Sequence, residues 1–597
     1  MPTYKAPLDD IRFVLHDVLG TDRIQQLPGY EDVTPDLVDT VLDGMAQVCE
    51  EMLFPVNQSG DAIGSTVADG VVTTPPGFKE AYQAFCEAGF TGLACDPAYG
   101  GQGLPLTLRF VLDEIVCSTN LSFGMFPGLT FGAYEALHAY GNDELKERYL
   151  AKLVSGEWAG TMCLTEPHAG TDLGIITTKA VPAGDGAYHV TGSKIFITAG
   201  EHDLTENIIH LVLAKLPDAP SGSRGISLLL VPKYLPTDDG TPGTRNGVTC
   251  VGIEHKMGIK ASPTCQLQFD NAKGWLVGEP HKGLKAMFVM MNGARLNVGM
   301  QGLGLSITSY QNALQYAKDR LQMRALTGPA QPQAVADPII VHPDVRRGLM
   351  TMKAFNEGAR ALAYWIGMEI DIELKHPDPA RRQEAEDLVA LMTPVIKGFL
   401  TDFGFECTNI GLQTYGGHGY IREYGMEQYV RDARIAQIYE GTNGVQAMDL
   451  VGRKLPAEMG RLLRRFFQPT HELIERESAG ELRELAEALG QGFRRLQQAT
   501  QLILGRGLKN PNEAGAAASD YLRMFGLVAV GTMWLRMARV AQDKLAAGPT
   551  PERAAFYRSK LVTAKFWLTK VVPQVHGLMA AIHAGGETVM ALEPDAF

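Results

Sequence analysis

The spacing of apolar residues along this chain changes period twice. From Pro7 to about Val154 it is helical: Leu37, Val38, Val41, Leu42 and Met45 recur every three or four positions, and the pattern continues through Val48 toward Met52 and Leu53. Between about Trp158 and Pro280 it becomes alternating, with β-branched and aromatic residues bounded by Gly, Pro and Asp. Residues 188–191, 194–198, 208–213, 226–231 and 264–269 read as strands. No helix separates them, which predicts an antiparallel barrel or sandwich and not a doubly wound sheet. After Gly283 the helical period returns and holds to the end of the sequence.

Loops punctuate the helical stretches. Residues 94–105 (ACDPAYGGQGLP) read as an ordered turn before a helix near Thr107, and 329–338 (PAQPQAVADP) as a loop. Past Lys454-Leu455-Pro456 a further block begins, with one amphipathic helix marked by Leu482, Leu485, Leu489, Phe493 and Leu496, another over 521–542, and a turn at Gly548-Pro549-Thr550-Pro551. The expected fold is α+β, mainly α. It comprises an N-terminal helical domain (1–157), a β domain (158–280), a helical bundle (281–455) and an additional C-terminal helical domain (456–597). A chain of 597 residues is long enough for three or four such units.

Composition narrows the function classes. The net charge of −13 disfavours a role resting on phosphate-backbone attraction, although the block from Pro456 onward is mildly basic, with 18 Lys/Arg against 14 Asp/Glu. The eight cysteines are scattered without a C-x-x-C pair, so no zinc or dithiol site is expected and most should be buried apolar fillers. Asp9 and Asp10 stand where a signal peptide needs an apolar stretch. The longest apolar run, 526–535, is too short to span a membrane, so a cytoplasmic protein is the expectation.

There is no G-x-G-x-x-G, no P-loop, no H-E-x-x-H and no G-x-S-x-G. The carboxylate that stands out is Glu440. It follows the apolar approach Ala436-Gln437-Ile438-Tyr439 and precedes Gly441, which lets a ligand come close to the backbone. Apolar neighbours disfavour the ionised form and raise a carboxyl toward the range useful for a general base. Asn443 followed by Gln446 resembles a capping box, placing Glu440 just ahead of a helix. Read locally, the same glutamate suits an ion pair with Arg431 or Arg434. Phe196, taken alone, reads as core.

Six separated pieces weigh against the local readings: TEPHAGTD (165–172), GSKIFITAG (192–200), a helix carrying Arg295, Arg320-Leu321-Gln322, QTYGGHGY (413–420) and YEGT (439–442). In that order they resemble the acyl-CoA dehydrogenases over residues 8–455. The added block and the opening YKAPLDDIRFVL are similar to the long form that includes bacterial 3-methylthiopropionyl-CoA dehydrogenases. The resemblance implies bound FAD. Met162, Leu164, Thr165, Gly170 and Thr171 would lie along the flavin, Phe196 would cover it and Thr198 would sit near its N5 edge. Arg320 and Gln322 would reach the pyrophosphate and adenosine of a neighbouring subunit, with Gln413, Gly416 and Gly417 as the adenosine-side loop and Thr442 a further cofactor contact. Thr171, Asn292, Arg295 and Gly441 would face the acyl-CoA. Asn292 stands where some members have aspartate, Gly444 where many have glutamine, and Pro343 replaces a common glutamine.

The activity implied by the resemblance is an FAD-dependent α,β-dehydrogenation of an acyl-CoA with Glu440 as base. Electron-transferring flavoprotein would be the acceptor, and the protein a homodimer or larger. 3-Methylthiopropionyl-CoA and straight-chain fatty acyl-CoAs both stay open as substrates. The added block carries no motif and is expected to enlarge an interface or screen a substrate channel. The competing class is a same-fold flavoprotein acting mainly as a nucleic-acid-associated stress protein. It would use Arg464-Arg465 and Arg494-Arg495, but the glutamates between them make a solvated helix face the more economical reading.

Overall fold

The computed structural model describes residues 2–597. It divides into two compact units, one of Gly44–Leu104 with Ile115–Asn297, the other of Met1–Asp43 with Pro105–Glu114 and Val298–Phe597.

The first unit is built on a sheet of seven strands: β1 (Trp158–Cys163), β2 (Lys179–Pro182), β3 (Tyr188–Thr198), β4 (Asn207–Lys215), β5 (Ile226–Pro232), β6 (Val248–Ile253) and β7 (Thr264–Val277). Strand β7 pairs with β3, β3 with β2, β2 with β4, β4 with β5, and β5 with β7, so five strands close a ring. Strand β6 adds beside β7 and β1 beside β4. The two stretches predicted at 188–191 and 194–198 form one strand.

Two pairings depart from the antiparallel expectation. β1 lies parallel to β4, Trp158 opposite Asn207 through Cys163 opposite Val212, and β2 meets β4 in parallel at Lys179 and Lys215. Two strands lie between β1 and β4 and one between β2 and β4, connections long enough to bring the chain back to the same end of the sheet. β1 escaped the period analysis because it is buried almost throughout and shows no alternation.

Helices α1 (Leu121–Tyr140) and α2 (Asp143–Ser155) cover this sheet. Leu137, Tyr149 and Leu150 join Trp158, Leu211 and Leu228 in one core, while Val190, Ile197, Val212, Leu229 and Phe269 form a second. Gly160 permits the closest approach of strand to helix: a Cβ there would sit 2.4 Å from that of Ala133.

The second unit is helical, with α3 (Gly283–Asp319, from Val298), α4 (Pro343–Lys375), α5 (Pro379–Thr414), α6 (Asn443–Asp449), α7 (Arg461–Ser478), α8 (Arg483–Gly507), α9 (Pro511–Ala546) and α10 (Pro551–Phe566). Helix α9 starts ten residues before the expected 521. Asn510 caps it through the Asn512 N–H and Pro511 presets its first turn, neither of which gives an apolar period.

The expectation that no segment approaches a membrane span is corrected by the structure. Helices α5 and α9 are long and apolar enough by composition, yet 78% and 83% of their apolar windows are buried inside the protein. A helix apolar on all sides needs neighbours on all sides. For α9 these are α4, α5, α8 and α10, so the C-terminal block shares its core with the bundle. Seven of the eight cysteines are buried.

Candidate functional site

In the first unit, the chain leaving β1 folds into a tight turn in which Glu166 and Ala169 exchange both backbone hydrogen bonds at 3.0 Å. The Glu166 side chain points into the protein. It accepts from the N–H and hydroxyl of Thr177 (2.7 and 2.8 Å) and of Thr178 (3.0 and 2.6 Å), and pairs at 3.0 Å with Lys194, itself fully buried on β3. Lys194 also donates to the Leu164 carbonyl at 2.9 Å, and Ile195 N–H donates to that of Thr165 at 2.9 Å. This clamp fixes residues 164–166 against β3 and places Thr165 beside Phe196.

Burial alone would push the Glu166 carboxyl up, but Lys194 and the threonine donors outweigh it and hold it down at about 2. The clamp's stabilisation is therefore complete above the ordinary carboxylate range and is lost as pH falls toward about 2. Glu166→Ala leaves Lys194 buried without its counter-ion and is expected to cost about 3–5 kcal/mol. A shift of the urea midpoint with loss of bound FAD would show it, and an unchanged midpoint would refute it.

Phe196 is not core. It adopts a left-handed backbone (φ 58°) where the β3–β7 register shifts, and the residue is 58% exposed while Ile197 beside it is buried. A bulge thus turns an aromatic face out of the sheet next to the Thr165 loop. Thr198 is half-buried opposite Thr264. Met162 is half-buried, Leu164 buried, and Gly170 and Thr171 exposed, with open space where a Gly170 Cβ would be. Asn292 and Arg295 lie one turn apart on α3, the first exposed and the second half-buried.

In the second unit, Glu440 and Gly441 are consecutive left-handed residues (φ 56° and 84°). For a non-glycine residue this costs of order 1 kcal/mol or more and persists only where the surroundings enforce it. Gln446 enforces it in part, its amide donating to the carbonyls of Glu440 (3.4 Å) and Gly441 (3.2 Å). The capping-box expectation is corrected: the cap of α6 is Thr442, whose hydroxyl accepts from Val445 N–H at 3.3 Å. Asn443 points elsewhere, to Lys397 and Asp402 on α5. Arg431 pairs with Glu427 one turn away.

The adenosine-side candidates share this unit. Arg320 and Gln322 are exposed at the end of α3, where Asp337 organises the following loop by accepting from the N–H groups of Ala325, Ala330 and Gln331. Tyr316, one turn before Arg320, stacks on Tyr415 at 4.0 Å and bonds His418 at 2.8 Å, which brings the 413–420 loop alongside. Gln413, Gly416 and Gly417 are exposed, and a Cβ at either glycine meets nothing within 4 Å. These glycines relieve no internal crowding and leave backbone open to a ligand. An exposed ring beside a loop of amides and hydroxyls, and an arginine beside open glycines, suit a dinucleotide flavin.

His202 and His210 are poor acid–base candidates. Burial, then the nearby Lys233 charge, pushes both down to about 3, and His210 Nδ1 is held at 2.8 Å by Thr161.

Family profiles match in four consecutive pieces: acyl-CoA dehydrogenase N-terminal domain at 65–157, middle domain at 161–272, C-terminal domain at 281–455, and an acetyl-CoA dehydrogenase C-terminal-like domain at 466–593. The chain is 41% identical to a 3-methylmercaptopropionyl-CoA dehydrogenase of Ruegeria pomeroyi, over 98% of this chain and 99% of that one. The chain belongs to the acyl-CoA dehydrogenase family. It is also 35% identical to a butyryl-CoA dehydrogenase of Syntrophomonas wolfei, over 100% of this chain and 99% of that one. The fold matches Caenorhabditis elegans ACDH-11, solved with C11-CoA, at a TM-score of 0.77 and 18% identity, over 99% of this chain and 95% of that one.

As a member of this family the protein is an FAD-dependent oxidoreductase acting on CH–CH bonds. The nucleic-acid reading finds no support. Arg465 is engaged by Glu384 and Asp387, and Arg495 by His576 and Gln498. Period and motif analysis missed the Glu166–Lys194 clamp and the Asp402–Asn443 contact. The signal for the first was a charged residue in each of two strand-associated motifs; for the second there was none in the local sequence.

Proposed function

We propose that this enzyme oxidises a short acyl-CoA thioester to the 2-enoyl-CoA, 3-methylthiopropionyl-CoA or a short straight-chain relative, with Glu440 as the base. The observation that carries the reading is the left-handed Glu440-Gly441 pair, which displays a carboxylate and its backbone N–H from a constrained turn ahead of α6. Glu440 takes the α proton. Its N–H donates to the thioester carbonyl as negative charge develops there, a fixed donor needing no reorganisation. Bound FAD would supply the acceptor for the hydride that leaves the β carbon. Phe196 would cover the bound ring, and the Thr165 loop and Thr198 would bind its polar edge. Met162, Leu164, Gly170, Thr171 and Thr442 complete the cofactor contacts. Thr171, Asn292, Arg295 and Gly441 line the CoA side.

Arg320, Gln322, Gln413, Gly416 and Gly417 serve the pyrophosphate and adenosine of a second copy's cofactor, in a homodimer or larger. The exposed apolar side chains of Met323, Leu326, Tyr420 and Ile421 around them favour such a covered face. Electron-transferring flavoprotein is the acceptor, the compartment cytoplasmic, and the four segments 1–157, 158–280, 281–455 and 456–597 the domains.

Anaerobic titration of the yellow holoenzyme with acyl-CoAs of increasing length tests the substrate. The oxidised flavin band should bleach fastest with 3-methylthiopropionyl- or butyryl-CoA. Fastest bleaching by a long-chain acyl-CoA would overturn the short-chain assignment.

A further inference from the structure

Both flanks of the turn that carries Glu440 meet one oxygen atom on α5. Oδ1 of Asp402 accepts from Gln437 Nε2 at 2.7 Å and from Asn443 Nδ2 at 2.6 Å, so it grips the chain three residues before and three residues after Glu440. Asn443 is locked from the other directions as well. Its Nδ2 lies 2.9 Å from Thr401 Oγ1 and 3.2 Å from the Gly398 carbonyl, and its Oδ1 accepts from the fully buried Lys397 at 2.8 Å. Gln437 makes the other half of the grip, from the end of the short helical turn Ile435–Gln437.

We propose that Asp402 is a positioning residue for the reaction, fixing Glu440 by pinning both ends of its loop to α5. This rests on the reading of Glu440 as the base. The physical need is plain in the backbone. Two consecutive left-handed residues are a strained state, and an unrestrained chain with a glutamate at the first of them relaxes out of it. Gln446 restrains the carbonyl side of the turn, and Asp402 spans its two ends. Proton abstraction is steep in distance, so a displacement of about 1 Å is enough to cost roughly 10²-fold in rate.

The test uses the FAD-loaded full chain and the anaerobic bleaching rate with saturating butyryl-CoA. Asp402→Ala should lower that rate about 10- to 100-fold while the half-saturating concentration changes little. Asp402→Asn keeps an acceptor oxygen and should recover most of the rate. Adding Gln437→Met to Asp402→Ala should cost little more, because the Gln437 amide acts through its contact with Asp402. Gln437→Met cuts one arm of the grip and should give an intermediate loss, which keeps the test decisive if Asp402→Ala does not fold. A folded Asp402→Ala enzyme at full rate, an Asn variant as slow as the Ala variant, or a Gln437→Met enzyme at full rate would each overturn the proposal. Failure of the base assignment looks different: Glu440→Gln would then bleach normally whatever Asp402 does.

Discussion

Glu440→Gln is expected to keep its FAD and its fold while bleaching about 10²–10⁴ times more slowly with acyl-CoA. Glutamine has the same shape but no basic oxygen of comparable strength, so it removes proton abstraction while keeping the size of the side chain. The fold should survive because the turn is held by other groups: Gln446 on the carbonyls, Thr442 at the cap and Asp402 at the two ends. Rapid-mixing absorbance at the flavin band measures the rate directly. An undiminished rate with bound cofactor would place the base elsewhere.

What the sequence made legible and what it hid divide along a physical line. Period changes located the helical, β and helical stretches; β1 was hidden because it is buried on both faces, whereas β2 and β6 were missed although they expose part of their length. The site was legible where a motif is contiguous. Thr165 and Phe196, in separate motifs, meet through the Ile195–Thr165 hydrogen bond, as their family order implies. Phe196 could not be placed by hydrophobicity, since its outward turn comes from a left-handed backbone at a register shift. Asp402 was invisible for another reason. It acts across the gap between two helices, and an aspartate within an apolar helix shows its partner only in three dimensions. The cap of α6 was displaced by one residue because Asn443, the better capper by type, is engaged by Lys397 and Asp402 and leaves the cap to Thr442.

Removing residues 456–597 is expected to yield no soluble, flavin-bearing protein, because that block completes the bundle's core. Trp534 on α9 donates its indole N–H to the Ala354 carbonyl on α4 at 2.8 Å, and Gly358 is a glycine there because a Cβ would meet that indole at 2.6 Å. Gly526 gives the same accommodation to Phe399, and Gly398 to Leu522. Truncation would expose the apolar faces of α4 and α5 together, against a net stability of only about 5–15 kcal/mol for a whole domain. A charge network makes the dependence testable at one residue. Lys560 on α10 is buried, lies 2.8 Å from Glu357 on α4 and pairs with Asp10 near the N-terminus. Burial raises the Asp10 carboxyl, but Lys560 foremost among nearby cations brings it down to about 2. Lys560→Ala takes the ion-pair partner from Asp10 and leaves Glu357 with Lys353 alone, and should cost about 3 kcal/mol. The loss should shrink as pH falls toward about 2, where Asp10 protonates and no longer needs the cation. Denaturant midpoints at neutral and acidic pH measure both effects, and a truncated chain that stays folded with bound FAD would show instead that the block is an appendage.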